Sequence, residues 1–485
     1  MIRAIILHCF FINLIHCISE HPILIVVSYD ALRYNYFDTK RLPLTEKMRE
    51  YGTYADYLIN VFPTKTFPNH HSIATGLYVE KHGVIGNTYW EPKENKKIGM
   101  SYQLYHYNED IVPIWRYNEA NGRGRYSGSM MWPGASFPYQ NKNITHIVDY
   151  NPQMDFNERI DKVISWIRDP EKPANLVMVY FEEPDNHGHA FGPNSNVFKD
   201  ILVKMDNLTQ YLEDQLKRYG LKDKVHVIHT SDHGMVPVAA SNILNITKYL
   251  EPGTYQTTFN NPLMDIIPKE GYEDKIYNNL KAAADENENF KVYRKRDYLD
   301  RWHFKNNPRI APIYVMAEVG YALDGLARKI PYYESTYNIS VSDDWEFGVH
   351  GYDYTVSDMN PFFMVRGPNV KINHKVPPFH TVDLFHLFCL ILKLPMVAND
   401  GREESVRDIL IYSEDARRFA FSKGLLITVG GLLLSLILII CGALVTLLMI
   451  KRHQNITTTA ALNKRFPQTF TQTVEAQHLL DPEEA

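Results

Sequence analysis

The sequence predicts an α/β fold: a mostly parallel central sheet with helices on both faces, followed by one carboxyl-terminal transmembrane helix. Three observations carry this. Continuous apolar runs at 23–28, 176–181 and 225–230 suit strands buried on both faces, and amphipathic stretches lie between them. No Gly/Ser/Pro-rich linker or repeat divides 20–400, so one large domain is expected there. Residues 425–450 carry no charged side chain, and at about 1.5 Å per helical residue such a run crosses a hydrocarbon core.

The elements follow from the amino terminus. Within 1–19, Arg3, the apolar run 4–15 and the small residues Cys17 and Ser19 make a secretory signal. The run 23–28 leads directly to Asp30. Pro63 and Pro68 bracket a rigid segment that precedes a short helix over 69–77, and a hydroxyl placed there lies near the positive helix end, where phosphate is also favoured. A helix is expected over 157–167, with Phe156, Ile160, Val163 and Ile167 at helical spacing, and another over 196–219. The run 176–181 leads to Asp185 and His189, and 225–230 leads to Asp232 and His233. Segments 311–316 and 361–366 are further strands. A juxtamembrane stalk over 401–424 precedes the span 425–450. Lys451, Arg452 and His453 open a cytoplasmic tail, 451–485, and the cleaved signal orients the chain as a single-pass type I cell-membrane protein with 20–424 outside.

Composition narrows the class. A net charge of −5 without long single-sign blocks offers no basic stripe, so polymeric nucleic acid is not an expected partner. Cys9, Cys17 and Cys441 lie in the signal and membrane segments, which leaves Cys389 without an intrachain disulfide partner. Asn143, Asn207, Asn245 and Asn338 begin glycosylation sequons on the extracellular side, whereas Asn455 falls inside and stays bare.

In open parallel sheets ligands bind beyond the carboxyl ends of the strands. Here three strand ends converge there with Asp30, with Asp185 and His189, and with Asp232 and His233. Taken singly, each is equally a turn, a cap or a surface loop; taken together, mixed carboxylate and imidazole donors suit zinc, where carboxylates alone would suit magnesium or calcium. A metal bound to a hydroxyl in the 62–71 segment would turn that poor nucleophile into an alkoxide.

These residues, with Lys65-Thr66-Phe67-Pro68-Asn69-His70, the 82–87 segment ending in Asn87, and Val349-His350-Gly351-Tyr352-Asp353, resemble the ectonucleotide pyrophosphatase/phosphodiesterase family of the alkaline phosphatase superfamily. The resemblance spans roughly 21–395 and is nearest to the short type I members, the fourth and fifth of the mammalian set. It implies an alkaline phosphatase-like fold and an extracellular catalytic domain over 20–400 with two Zn2+. One zinc would be held by Asp185, His189 and His350, the other by Asp30, Asp232 and His233, with Thr66 bridging to the second as nucleophile. It further implies a phospho-threonine intermediate, a phosphoryl-oxygen contact from Asn87, and a base slot lined by Phe67, Trp132 and Tyr150. The implied substrates are extracellular nucleotides or dinucleoside polyphosphates. Relatives that hydrolyse nucleotides carry an acid shortly after Trp-Pro-Gly, where this chain has Ala135-Ser136, and the disulfides of relatives cannot form here.

Alternatives within the superfamily are a phospholipid or choline-phosphodiester hydrolase and a simple phosphomonoesterase. Outside it stands a non-enzymatic cell-surface protein, which the full ligand set and Thr66 disfavour. In the tail, Glu475, Leu479 and Leu480 resemble an acidic dileucine signal read by a clathrin adaptor during endosomal cycling; the other reading is a solvated tail without a partner.

Overall fold

The computed structural model describes residues 18–412, apart from 259 and 288, and residues 433–453, apart from 434. Residues 1–17 of the expected signal, the stalk beyond 412, Asn455, and Glu475, Leu479 and Leu480 lie outside the described residues. The described residues up to Ile411 form one compact unit.

Its central sheet contains β1 (Ile23–Tyr29), β2 (Thr53–Ala55), β3 (Ser127–Met130), β4 (His146–Val148), β5 (Leu176–Phe181), β6 (Val225–Thr230), β7 (Phe363–Arg366) and β8 (His374–Val376), in the spatial order β8-β2-β7-β6-β1-β5-β3-β4. Every residue of β1 is buried, as its continuous apolar run requires of a strand covered on both faces. Each fully buried Ile, Val or Leu there contributes about 1.5–3 kcal/mol. A single Val27→Asp change would leave an unpaired charge in this layer and break it.

The sheet is mixed rather than wholly parallel, because β7 runs antiparallel to both β2 and β6. The strand that precedes β7, Glu346–Val349, pairs with Val236–Ala239 outside the central sheet, and only the turn Ser357–Met359 lies between, so no helical crossover of the kind that makes strands parallel leads into β7. The expected strand near 311–316 also forms, as Ile313–Ala317, but it lies in a separate antiparallel sheet with Tyr255–Gln256, Leu263–Pro268 and Phe290–Arg294. An apolar run identifies a strand without identifying its partner.

Four helices position the site: α1 (Thr66–Thr75), α2 (Phe156–Ile167), α3 (Asp185–Phe191) and α4 (Asn196–Arg218). Asp155 caps α2 by accepting from the Asn157 and Glu158 N–H groups, and Ser195 Oγ accepts from Phe198 N–H to start α4. Both pack on one face of the sheet, where Ile160, Val163, Leu202 and Met205 join Ile23, Ile25 and Val27 in a common core. The helices Ile114–Ala120 and Leu384–Leu392 also contact the sheet, the first at β3 and β5 and the second at β1.

Helix α1 begins three residues before its expected start and takes in Thr66, Phe67 and Pro68. Pro68 is tolerated because N–H groups in a first helical turn have no intrahelical acceptor. Gly76 ends α1 at φ 69°, and a Cβ there would lie 2.4 Å from Asn399 Nδ2.

In the second unit, the helix Ser435–His453 is long and apolar enough to cross a membrane, with none of its window buried in protein. It extends past the expected boundary at Ile450 and includes Lys451, Arg452 and His453.

Candidate metal centre and active site

Parallel register assembles the site. Ser28 pairs with Tyr180 of β5 and with Thr230 of β6, so the residues that follow, Asp30 and Asp232, leave adjacent strands at the same level. The Asp185 N–H donates to the Asp30 carbonyl at 3.2 Å, which fixes the start of α3 against the end of β1. His189 stands one helical turn beyond Asp185 on the same face. His350 arrives from a distant segment because the strand Glu346–Val349 pairs antiparallel with Val236–Ala239, bringing Val349 opposite Val236.

Two groups of donors result. The ligand atoms of Asp185, His189 and His350 lie within 4.8 Å of one another, and so do those of Asp30, Asp185 and His233. Asp185 thus faces both groups, where the resemblance assigns it to one. Asp232 joins the second through Oδ2, 3.1 Å from His233 Nε2, and Asp30 Oδ1 lies 3.3 Å from the same nitrogen. In the first group His189 Nε2 is 3.4 Å and His350 Nε2 3.6 Å from Asp185 oxygens. Two donors each 2.0–2.1 Å from a tetrahedral zinc stand about 3.3 Å apart, so the spacing fits such an ion.

The hydrogen bonds leave these atoms bare. Nδ1 of His189, His233 and His350 lies 2.8, 2.9 and 2.9 Å from the carbonyls of Gly348, Gly234 and Thr64. A carbonyl only accepts, so each Nδ1 carries the proton and each Nε2 presents a lone pair to the site. Asp232 Oδ1 accepts from the Ala31, His233 and Ser231 donors, and Tyr180 donates to Asp30 Oδ2 at 2.6 Å. Asp30 Oδ1, Asp185 Oδ1 and Asp232 Oδ2 remain buried without a hydrogen-bond partner among the described residues.

Burial, then the charges of Asp232 and Asp185, pushes the Asp30 carboxyl well above the usual range, and burial raises Asp185 and Asp232 too. Burial holds the His189 imidazole down at about 3 and those of His233 and His350 well below their ordinary value. Three crowded carboxylates and three neutral imidazoles form a cage that a divalent cation satisfies.

Thr66 is the first residue of α1, and its Oγ lies 3.4 Å from the bare His233 Nε2. The Phe67 N–H donates to Asn87 Oδ1 at 2.9 Å, which leaves the Asn87 amide N–H groups for the cavity that both Thr66 and Asn87 line. This cavity, of about 330 Å³, is also lined by Asp185, Lys65, Lys97 and Lys329. Lys65 is buried and donates to the carbonyls of His350 and Asn261; burial, followed by the Lys329 charge, pushes its ammonium down to about 7.

The aromatic trio separates. Phe67 is half-buried against Tyr105, Trp132 is 2% exposed with its ring edge on His70, and Tyr150 is 54% exposed beside Tyr180. None of the three lines the cavity. Asn143, Asn207, Asn245 and Asn338 are all exposed, as sequons require. Sequence reasoning missed Tyr180, Lys97 and Lys329. Tyr180 sits inside an apolar run, and neither lysine has a motif around it.

A family model described as "Type I phosphodiesterase / nucleotide pyrophosphatase" matches residues 24–353. The chain is similar to human Ectonucleotide pyrophosphatase/phosphodiesterase family member 5, 34% identical over 393 residues that cover 80% of this chain and 77% of that protein. It is 31% identical over 418 residues to human Bis(5'-adenosyl)-triphosphatase ENPP4, covering 86% of this chain and 87% of that one. Among solved structures, murine family member 5 in an inactive threonine-to-alanine form in complex with AMP superposes with a TM-score of 0.71 and 32% identity, over 81% of this chain and 100% of that one.

Proposed function

Since this chain belongs to the type I phosphodiesterase/nucleotide pyrophosphatase family and is accordingly a hydrolase, we propose that it cleaves extracellular nucleotides or dinucleoside polyphosphates through two zinc ions and a phospho-threonine formed on Thr66. The observation that carries this reading is the cage itself: carboxylate oxygens buried without hydrogen-bond partners among the described residues stand with bare imidazole nitrogens, one of which, His233 Nε2, lies 3.4 Å from Thr66 Oγ.

Asp185, His189 and His350 hold one ion, and Asp30, Asp232 and His233 hold the other. When bound, the ions neutralise phosphoryl oxygens and acidify a coordinated hydroxyl. Thr66 Oγ forms the new bond to phosphorus as the bond to the leaving group breaks, and water then hydrolyses the phospho-threonine. Asn87 donates its amide N–H to a phosphoryl oxygen, with its own oxygen anchored by the Phe67 N–H. Lys65, Lys97 and Lys329 favour an anionic leaving group and disfavour the cationic head group of a choline phosphodiester. Phe67 and Tyr150 offer ring faces to a base, while Trp132 is buried against His70. The names of the relatives, a bis(5'-adenosyl)-triphosphatase and a complex with AMP, support a nucleotide substrate. With the signal removed and Ser435–His453 as anchor, catalysis takes place outside the cell.

The test uses full-length protein in detergent. Metal analysis is expected to find two zinc per chain, and turnover of diadenosine triphosphate, ATP or NAD is expected to be lost on chelation and restored by zinc. Undiminished turnover without zinc, or lysophosphatidylcholine cleaved in preference to every nucleotide, overturns the proposal.

A further inference from the structure

We propose that His70 is a positioning residue: its imidazole clamps the Thr66 end of α1 to the end of β1 and so sets the line along which the Thr66 hydroxyl attacks. The inference rests on Thr66 being the nucleophile.

His70 lies one turn beyond Thr66 and is fully buried. Its Nδ1 is 2.8 Å from the Thr66 carbonyl oxygen and its Nε2 is 2.9 Å from Ser28 Oγ. Because a carbonyl only accepts, the proton is on Nδ1 and the Ser28 hydroxyl donates to Nε2.

Ser28 stands two residues before Asp30 in β1, so a continuous path runs from the Asp30 strand through His70 to the Thr66 peptide. Nδ1 also lies 3.5 Å from Asp232 Oδ2 without a hydrogen bond to it, so the third element of the site packs beside the same ring. Two rings pack nearly perpendicular to the imidazole, Trp132 at 4.9 Å and Tyr180 at 5.1 Å between centroids, and Tyr180 is the donor to Asp30. A side chain that only filled space here would need neither nitrogen satisfied. Both are, and both bonds end on residues that place reacting groups. A shift of about 1 Å in a nucleophile costs on the order of 10²-fold in rate.

The experiment compares two substitutions in the full-length protein. The amide of His70→Asn stands near the place of Nδ1 and can donate to the Thr66 carbonyl, whereas that of His70→Gln reaches toward Ser28 and leaves the carbonyl without its donor. With a nucleoside monophosphate nitrophenyl ester, His70→Gln is expected to lower kcat about 10²-fold with KM and zinc content unchanged. His70→Asn is expected to recover at least tenfold of that loss. Should His70→Gln not fold, Ser28→Ala is expected to lower kcat about tenfold at constant KM, since it removes one anchor of the clamp. Equal kcat losses in both His70 variants, tracking their Tm, overturn the inference, as does an effect confined to KM or an unchanged kcat in Ser28→Ala. Failure of the wild-type protein to turn over the ester would instead refute the proposed function.

Discussion

Replacing Thr66 separates chemistry from structure more cleanly than any other change at the site. Its hydroxyl makes one long contact, 3.4 Å to His233 Nε2, and the side chain is 6% exposed. Thr66→Ser deletes one buried methyl, worth about 0.5–1.5 kcal/mol by analogy with Ile→Val. Thr66→Ala also removes a hydrogen bond at the weak end of the roughly 0.5–1.5 kcal/mol range. Both variants are therefore expected to fold, with losses of about 0.5–1.5 kcal/mol for Thr66→Ser and about 1–2 kcal/mol for Thr66→Ala. Activity diverges. Thr66→Ala removes the nucleophile of a group of residues that act as a unit, for which losses on the order of 10⁴-fold or more in kcat are expected. Thr66→Ser keeps a hydroxyl but loses the β-branched restriction of χ1, so a loss of about tenfold is expected. The assay is steady-state hydrolysis of a nucleoside monophosphate nitrophenyl ester, with zinc content and Tm measured on the same samples. An alanine variant that keeps its zinc and works within about tenfold of wild type would place the nucleophile elsewhere, since even one lost oxyanion contact costs about 10².

Trp132→Ala and Tyr150→Ala are expected to differ in kind. The first empties a buried site and costs about 3–5 kcal/mol of stability, visible in thermal unfolding. The second leaves stability within about 0.5 kcal/mol and raises KM for nucleotides roughly 5- to 150-fold, from about 1–3 kcal/mol of stacking; equal effects on a small aryl phosphodiester would remove the base contact. Acid sensitivity has a distinct source in His71, which is fully buried with neither ring nitrogen partnered among the described residues and is held down at about 3 by burial, then by His106. A depressed folded pKa makes its contribution complete above about 6.5 and lost as pH falls toward 3, so by pH 5 it costs about 2 kcal/mol. In urea unfolding, His71→Phe is expected to lose about 2 kcal/mol less than wild type between pH 7.5 and pH 5; parallel stability curves would show that His71 titrates normally.

By itself the sequence determined what depends on neighbours along the chain. The runs 23–28, 176–181 and 225–230 are legible as buried strands because apolar residues dominate them, although 225–230 also carries His226 and His229, and the acids that follow then lie at strand ends. The helices expected over 157–167 and 196–219 were legible from their period and form as Phe156–Ile167 and Asn196–Arg218. What only the tertiary structure decided depends on pairing between distant segments. Nothing local distinguishes the antiparallel β7 from its parallel neighbours, or the strand 313–317 in its separate sheet from one in the central sheet. Tertiary packing likewise buried Trp132 while exposing Tyr150, turned Asp185 toward both groups of donors, and made each site histidine present Nε2 by giving its Nδ1–H a carbonyl. Residue type supplies a donor, but its direction and protonation follow from the groups packed around it, and those come from chain segments as far away as Thr64 is from His350.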